Sequence, residues 1–207
     1  MAIKNITIRG TASYPHFNSP DTKFNDKGLF HTKLVIGEEA AAGLTKLFEK
    51  IRTDEFNRVT KEVLKGKKPG LADLPVKPQL DENDEPTGMF IVSAKMIASG
   101  VSKKTSKPWS RTLPIFNAKG SPTNVKVGGG SEVILSVQPE PWYSAKDKEV
   151  GVTLRLEGVQ IIKLVEFGGK SAAGLGFGAV EGDDIPEGTT DAPEADAADE
   201  DGGDYNF

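Results

Sequence analysis

Cysteine is absent from the 207 residues, so a disulfide framework and thiolate metal sites are excluded. Histidine is scarce: the two present, His16 and His31, argue against a catalytic zinc centre built on imidazoles. No apolar run approaches the roughly 20 residues that cross a bilayer. The opening stretch, MAIKNITIRG, lacks a signal-peptide core. These absences lead to the expectation of a soluble protein of a reducing compartment, the cytoplasm, with no membrane association. What is there is ordinary for a globular chain, 37% hydrophobic and 27% charged, which excludes wholesale disorder.

The formal net charge of -4 conceals an uneven distribution. Residues 181–207 hold eleven acidic groups and no Lys or Arg, which leaves 26 basic against 19 acidic groups in residues 1–180. Such asymmetry suggests a nucleic-acid-binding body with an acidic tail. Residues 171–207 are expected to be disordered, because a glycine-rich and then acidic segment buries too little apolar surface to offset its ordering entropy. The tail closes on Tyr205, Asn206 and Phe207. That ending is either a chance terminus or an aromatic docking tip. On the second reading, Asp199, Glu200, Asp201, Asp204, Tyr205 and Phe207 engage a partner.

Residues 1–170 read as one mainly β domain. Apolar residues alternate at Ile6 and Ile8, from Phe30 to Ile36, and from Phe90 to Met96. Trp109 to Phe116, Ser131 to Gln138 and Val150 to Leu164 supply three more strands, the last interrupted by Gly158 where a bulge fits. One helix is expected from about Glu38 to Leu64, with Leu44, Leu47, Phe48, Ile51, Glu55, Val59 and Val63 on one face. Residues 66–88 read as a long loop. Six short strands with a single helix indicate a small antiparallel β-barrel rather than a βαβ sheet, since the late connections are too short for parallel crossovers.

No catalytic constellation is visible. GGKS at residues 168–171 imitates a phosphate-binding loop, but Leu164 stands where that pattern needs glycine. GLGFGA at residues 174–179 lacks the βαβ setting of a dinucleotide fingerprint. The acidic cluster Asp81, Glu82, Asp84 and Glu85 lacks a calcium-loop spacing and reads as a solvated loop.

The positive signal lies between Pro86 and Ser131. This stretch carries seven basic groups and no acidic one: Lys95, Lys103, Lys104, Lys107, Arg111, Lys119 and Lys126. Four of them surround Trp109. Basic groups neutralise phosphates, and adjacent aromatic faces stack on unpaired bases. Tyr14, Phe17, Phe24, Trp142 and Tyr143 lie in loop-like contexts, where each ring either stacks on a ligand or caps the core. Phe30, Phe90 and Phe116 are core by default. The nucleic-acid-binding candidates are Lys103, Lys104, Lys107, Trp109, Arg111, Lys126, Trp142, Tyr143, Tyr14 and Phe17.

The segment VKVGGGSEVILSVQPEPWYSAKDKEVGVTLRLEGVQIIKLVEFGG is similar to the corresponding part of the phage T7-type single-stranded DNA-binding proteins. It has their triple-glycine turn, strand, loop with paired aromatics, long strand and FGG. GTASYPHFNSPD, the lysines at residues 103–107 and an acidic tail ending in Phe extend the likeness. The resemblance implies an OB-fold that coats single-stranded DNA in phage replication, recombination and repair, as a dimer and without a cofactor. It also implies that the tail docks replication proteins such as the DNA polymerase and helicase-primase. By position, Lys103, Lys104 and Lys107 fall on that family's DNA-contacting basic residues, and Trp142 and Tyr143 on its aromatic loop. Two features depart from the pattern. The tail ends Tyr-Asn-Phe rather than acidic-acidic-Phe. The helix follows the second strand, so either the strand count is off or the helix is inserted. The competing readings are an acidic-tailed interaction protein that mimics nucleic acid, and an RNA- or duplex-binding OB module.

Overall fold

The computed structural model describes residues 3–23 and 25–165. Phe24, the glycine-rich strings, the expected disorder of residues 171–207 and the docking candidates Asp199, Glu200, Asp201, Asp204, Tyr205 and Phe207 lie outside the described residues.

In chain order the elements are β1 (Ile6–Asp21), β2 (Leu29–Ile36), α1 (Glu38–Arg58) continued by one π-helical turn (Val59–Val63), β3 (Gly70–Leu71) and β4 (Val76–Leu80). There follow β5 (Pro86–Ile97), β6 (Ser99–Val101), β7 (Pro108–Ser110), β8 (Ile115–Phe116), β9 (Glu132–Ser144) and β10 (Glu149–Lys163). Five of these close a barrel. β1 pairs antiparallel with β2 and β9, β2 with β5, and β9 with β10, and a parallel bridge between Arg155 and Lys95 seals β10 to β5. That order, 1-2-5-10-9 and back to 1, is the strand order of an OB-fold. The mainly β fold read from the sequence is the one observed.

Alternation in the sequence fills the barrel. Phe30, Thr32, Leu34 and Ile36 of β2 point inward and are buried, while His31 and Lys33 between them point out. Val133, Leu135 and Val137 of β9 and Leu154 and Leu156 of β10 meet them in the core. The α1 helix packs on the barrel strands with Ala41, Phe48 and Ile51, and Val59 of the π-helical turn is buried as well, each large apolar side chain contributing about 1.5–3 kcal/mol. Glu55 lies on this buried face too, and its carboxylate is neutralised by two hydrogen bonds from Arg58, at 2.8 and 2.5 Å. Leu47 and Val63, expected on the same stripe, are exposed. The helix connects the second and third barrel strands, so of the two readings left open, insertion is the correct one.

Three boundaries differ from expectation. Residues 66–88 are not a continuous loop: β3 pairs with β10, and β4 with β5. The strand expected from Trp109 to Phe116 is cut into β7 and β8, where Pro114 removes a ladder donor. Conversely, the strand expected to end at Gln138 runs on to Ser144 despite Pro139 and Pro141. Those prolines are two residues apart and so lack N–H groups on the same side of β9. Pairing with β1 has already ended at Val137, so that side is an edge. The bulge expected at Gly158 is present as a register shift between Leu156 and Gly158. In the acidic cluster, Asp81 accepts the N–H groups of Asn83 and Glu85 and shapes the β4–β5 turn. Those bonds hold its carboxyl below the usual range.

Candidate nucleic-acid interface

The basic stretch forms a small two-stranded hairpin, β6 and β7, outside the barrel. Its turn exposes Lys103, Lys104 and Lys107. Ser102 ties the turn, accepting from Ser106 N–H at 2.8 Å and donating its own N–H to Lys107 O at 2.9 Å. Trp109 sits directly across from Gly100. The glycine is required there: a Cβ would come within 2.8 Å of the indole. The Arg111 guanidinium lies over the ring, 4.6 Å from its centre. The sequence candidates Lys103, Lys104, Lys107, Trp109 and Arg111 are thus brought together on one projection. Its base is fastened to the β1–β2 loop by Ser99 Oγ donating to Lys27 O at 2.8 Å.

A second feature is a concavity of about 750 Å3 on the outer face of β2 and β5, reaching to β4 and β10. The outer face of the second and third barrel strands is where OB-folds bind oligonucleotides. Trp142 forms one wall, and His31, Lys33, Lys95, Pro78 and Thr153 contribute to the rest. Trp142 also rests on a cross-strand glycine, Gly151, where a Cβ would meet the ring at 2.4 Å. Its indole N–H is buried without a hydrogen-bond acceptor among the described residues.

The cationic groups around this concavity differ in availability. Lys77 is paired with Asp73 at 2.7 Å, and that bond lowers the Asp73 pKa. Arg155, opposite Lys95 in register, is engaged by Glu157, Glu140 and Gln138. Its pKa is raised, first by the Glu157 hydrogen bond, against the opposing effect of burial. Lys33 and Lys95 form no ion pair among the described residues and are exposed.

The remaining candidates separate. Phe17 is a correction: it is 2% exposed within the barrel core and offers no face for stacking. It belongs to the irregular part of β1, whose register shifts on either side of His16. Those shifts break the simple alternation that would have revealed it as core. Tyr14 is the opposite case, 75% exposed and with a φ of 48° at the bulge. Trp142 and Tyr143 lie on β9 rather than in a loop. Neighbours on a strand face opposite ways, so Trp142 lines the concavity and Tyr143 does not. Lys126 is exposed on a segment clasped by Asn18, which donates to Val125 O at 2.9 Å and accepts from Val127 N–H at 3.2 Å.

Sequence reasoning missed Lys33 as a site residue and counted Lys95 only as a charge. The available signal was alternation: in FHTKLVI the apolar Phe30, Leu34 and Ile36 share one face at a period of two, which puts His31 and Lys33 together on the outer face.

No family model matches the chain. A single-stranded DNA-binding protein of enterobacteria phage T3 is 27% identical over 171 residues, covering 76% of this chain and 72% of the relative. The crystal structure of gp2.5, a single-stranded DNA-binding protein encoded by bacteriophage T7, superposes with a TM-score of 0.66. It is 24% identical and matches 89% of this chain and all of the other. The single-stranded DNA-binding protein of bacteriophage Enc34 shares the fold with a TM-score of 0.51 at 18% identity, over 79% of this chain and 84% of that one. The resemblance to the phage T7-type family is therefore borne out, in sequence by the T3 protein and in fold by the T7 protein.

Proposed function

We propose that this chain binds single-stranded DNA without strong sequence preference, by contact rather than catalysis and without a cofactor. The observation that carries this reading is the concavity on the outer face of β2 and β5. It combines an aromatic wall, Trp142, with two exposed cations, Lys33 and Lys95. Bases stack against Trp142 while the phosphate backbone runs past Lys33 and Lys95 and on to the lysine hairpin. Lys103, Lys104, Lys107 and Arg111 add phosphate contacts there, Trp109 adds a stacking face, and Tyr14, Lys126 and Tyr143 extend the footprint. The combination of a basic track with stacking rings suits unpaired strands, because a duplex hides its base faces.

Two further elements complete the proposal. Residues 1–170 are the binding domain, and residues 171–207 are the segment that docks replication proteins such as a DNA polymerase or helicase-primase through Asp199, Glu200, Asp201, Asp204, Tyr205 and Phe207. The protein acts as a homodimer in phage DNA replication, recombination and repair.

Titration of a fluorescent oligothymidylate tests the core of this reading. Saturable binding is expected, weakening as salt rises. Duplex DNA and RNA of the same length should compete poorly. Absence of binding both by the full chain and by one ending at Val180 would instead favour the interaction protein that mimics nucleic acid. Preferential binding of duplex or RNA would favour the third reading.

A further inference from the structure

The only two histidines of the chain face each other across neighbouring strands. His16 on β1 is paired in register with His31 on β2, and their rings are stacked with centroids 4.6 Å apart. Asp21, at the end of β1, approaches the same point, its Oδ2 lying 3.3 Å from His31 Nε2. This convergence is built by the irregularity of β1. Register shifts on both sides of His16 let His16 and Asp21 of the bent β1 turn toward His31 of β2. One ligand-capable atom from each of the three lies within 4.8 Å of the others, and all three residues are half-buried.

We propose that His16, Asp21 and His31 form a site for one divalent cation of the zinc class. Two imidazole nitrogens and a carboxylate oxygen suit zinc, cobalt or nickel, whereas magnesium and calcium take mainly oxygen ligands. Bonds of about 2.0–2.2 Å in a tetrahedron need donor atoms somewhat over 3 Å apart, so the two stacked rings must tilt out of their parallel arrangement to bring their nitrogens onto one cation. The carboxylate is already oriented: Asp21 Oδ1 accepts the Lys23 N–H at 2.9 Å, leaving Oδ2 for the cation. Three protein ligands leave a fourth position, and Asp21 and His31 both border the concavity, so that position opens toward it. A cation held there clamps β1 to β2 at the edge of the concavity. The inference rests on these three side chains and not on the DNA-binding reading.

The test uses the full chain without a polyhistidine tag, stripped of metal with a chelator. Calorimetry with Zn2+ should give one equivalent bound per chain, and Co2+ should produce the visible bands of a tetrahedral site. The melting temperature should rise with Zn2+ and stay unchanged with Mg2+. His16→Gln and His31→Gln should each weaken Zn2+ binding by about tenfold or more, and Asp21→Asn should weaken it too. A readout that needs no variant accompanies these: with two histidines in the chain, both sets of ring-proton NMR signals should shift together on one equivalent of Zn2+. Absence of stoichiometric binding, unmoved histidine signals, or equal affinity in folded histidine variants would overturn the proposal.

Discussion

Two tryptophans in this protein rest on cross-strand glycines, Trp109 on Gly100 and Trp142 on Gly151, yet they stand in different surroundings. Trp109 belongs to a two-stranded hairpin of three residues a side, crowded with cations and covered by Arg111. Trp142 belongs to a 13-residue barrel strand, lines a concavity and keeps a buried N–H with no acceptor among the described residues. The hairpin supplies charge density on a light support; the concavity supplies shape on a rigid one. Long-range attraction to phosphates is proportional to charge and is screened by salt, whereas stacking is short-ranged and largely salt-independent. The pair therefore separates two components of single-strand binding that are usually entangled.

The largest effect is expected at the hairpin and in low salt. Replacing Lys103, Lys104 and Lys107 together with Ala removes up to three phosphate contacts. The slope of log K against log salt should then flatten by about 0.7 for each contact, roughly two units in all. The loss should be the same for any base composition, because phosphate contacts carry no sequence information. A slope equal to that of the parent would place the charge contacts elsewhere, on Lys33 and Lys95.

Next comes the concavity. Trp142→Ala should weaken oligothymidylate binding by about 1–3 kcal/mol, with little change in the salt slope. Gly151→Ala sharpens this test while keeping the indole: the new methyl displaces the ring, so affinity should fall although the tryptophan remains. Folding of each variant is checked by its melting transition. If both variants bind like the parent, the wall formed by Trp142 is structural and the concavity is not where bases lie.

The contrast between the two regions also explains what could be read from the residues alone. Charge is a property of composition, so Lys103, Lys104, Lys107 and Arg111 stood out as a block with no acidic residue among them. Concavity belongs to the folded chain: Lys33, Lys95 and Trp142 are spread over more than a hundred residues of sequence, and only barrel closure brings them together. Strand periodicity located β2 and β10 well but failed along β1, where register shifts around His16 hid Phe17 in the core and exposed Tyr14. Prolines misled in both directions. Pro114 lies in the break between β7 and β8, whereas Pro139 and Pro141 are tolerated on an edge, and no local rule distinguishes the two cases.

A smaller effect should follow from Trp109→Ala. One face of the ring is occupied by Gly100 and the guanidinium of Arg111 covers it as well, so little surface is left for a base. The loss should lie near about 1 kcal/mol, the low end for a stacked base, and part of it should come from the freed Arg111. Quenching of intrinsic fluorescence on DNA binding should accordingly come mainly from Trp142 and vanish in Trp142→Ala. Quenching that persists in that variant and vanishes in Trp109→Ala would reverse the assignment of roles.

The smallest expected change is a gain. Residues 181–207 carry eleven negative charges on the same chain as a body with an excess of seven positive ones, so intramolecular competition with DNA is expected. The competition is electrostatic and should act on the lysine-rich hairpin rather than on the concavity. A chain ending at Val180 should bind oligothymidylate more tightly than the full chain in low salt. The advantage should shrink as the screening length falls toward about 8 Å near physiological ionic strength. The decisive arm combines truncation with the triple lysine variant. If the hairpin is where the acidic segment competes, removing residues 181–207 from that variant should bring almost no gain. An undiminished gain would mean that the segment competes for Lys33 and Lys95 instead, and that the concavity carries more of the charge than its two exposed lysines suggest.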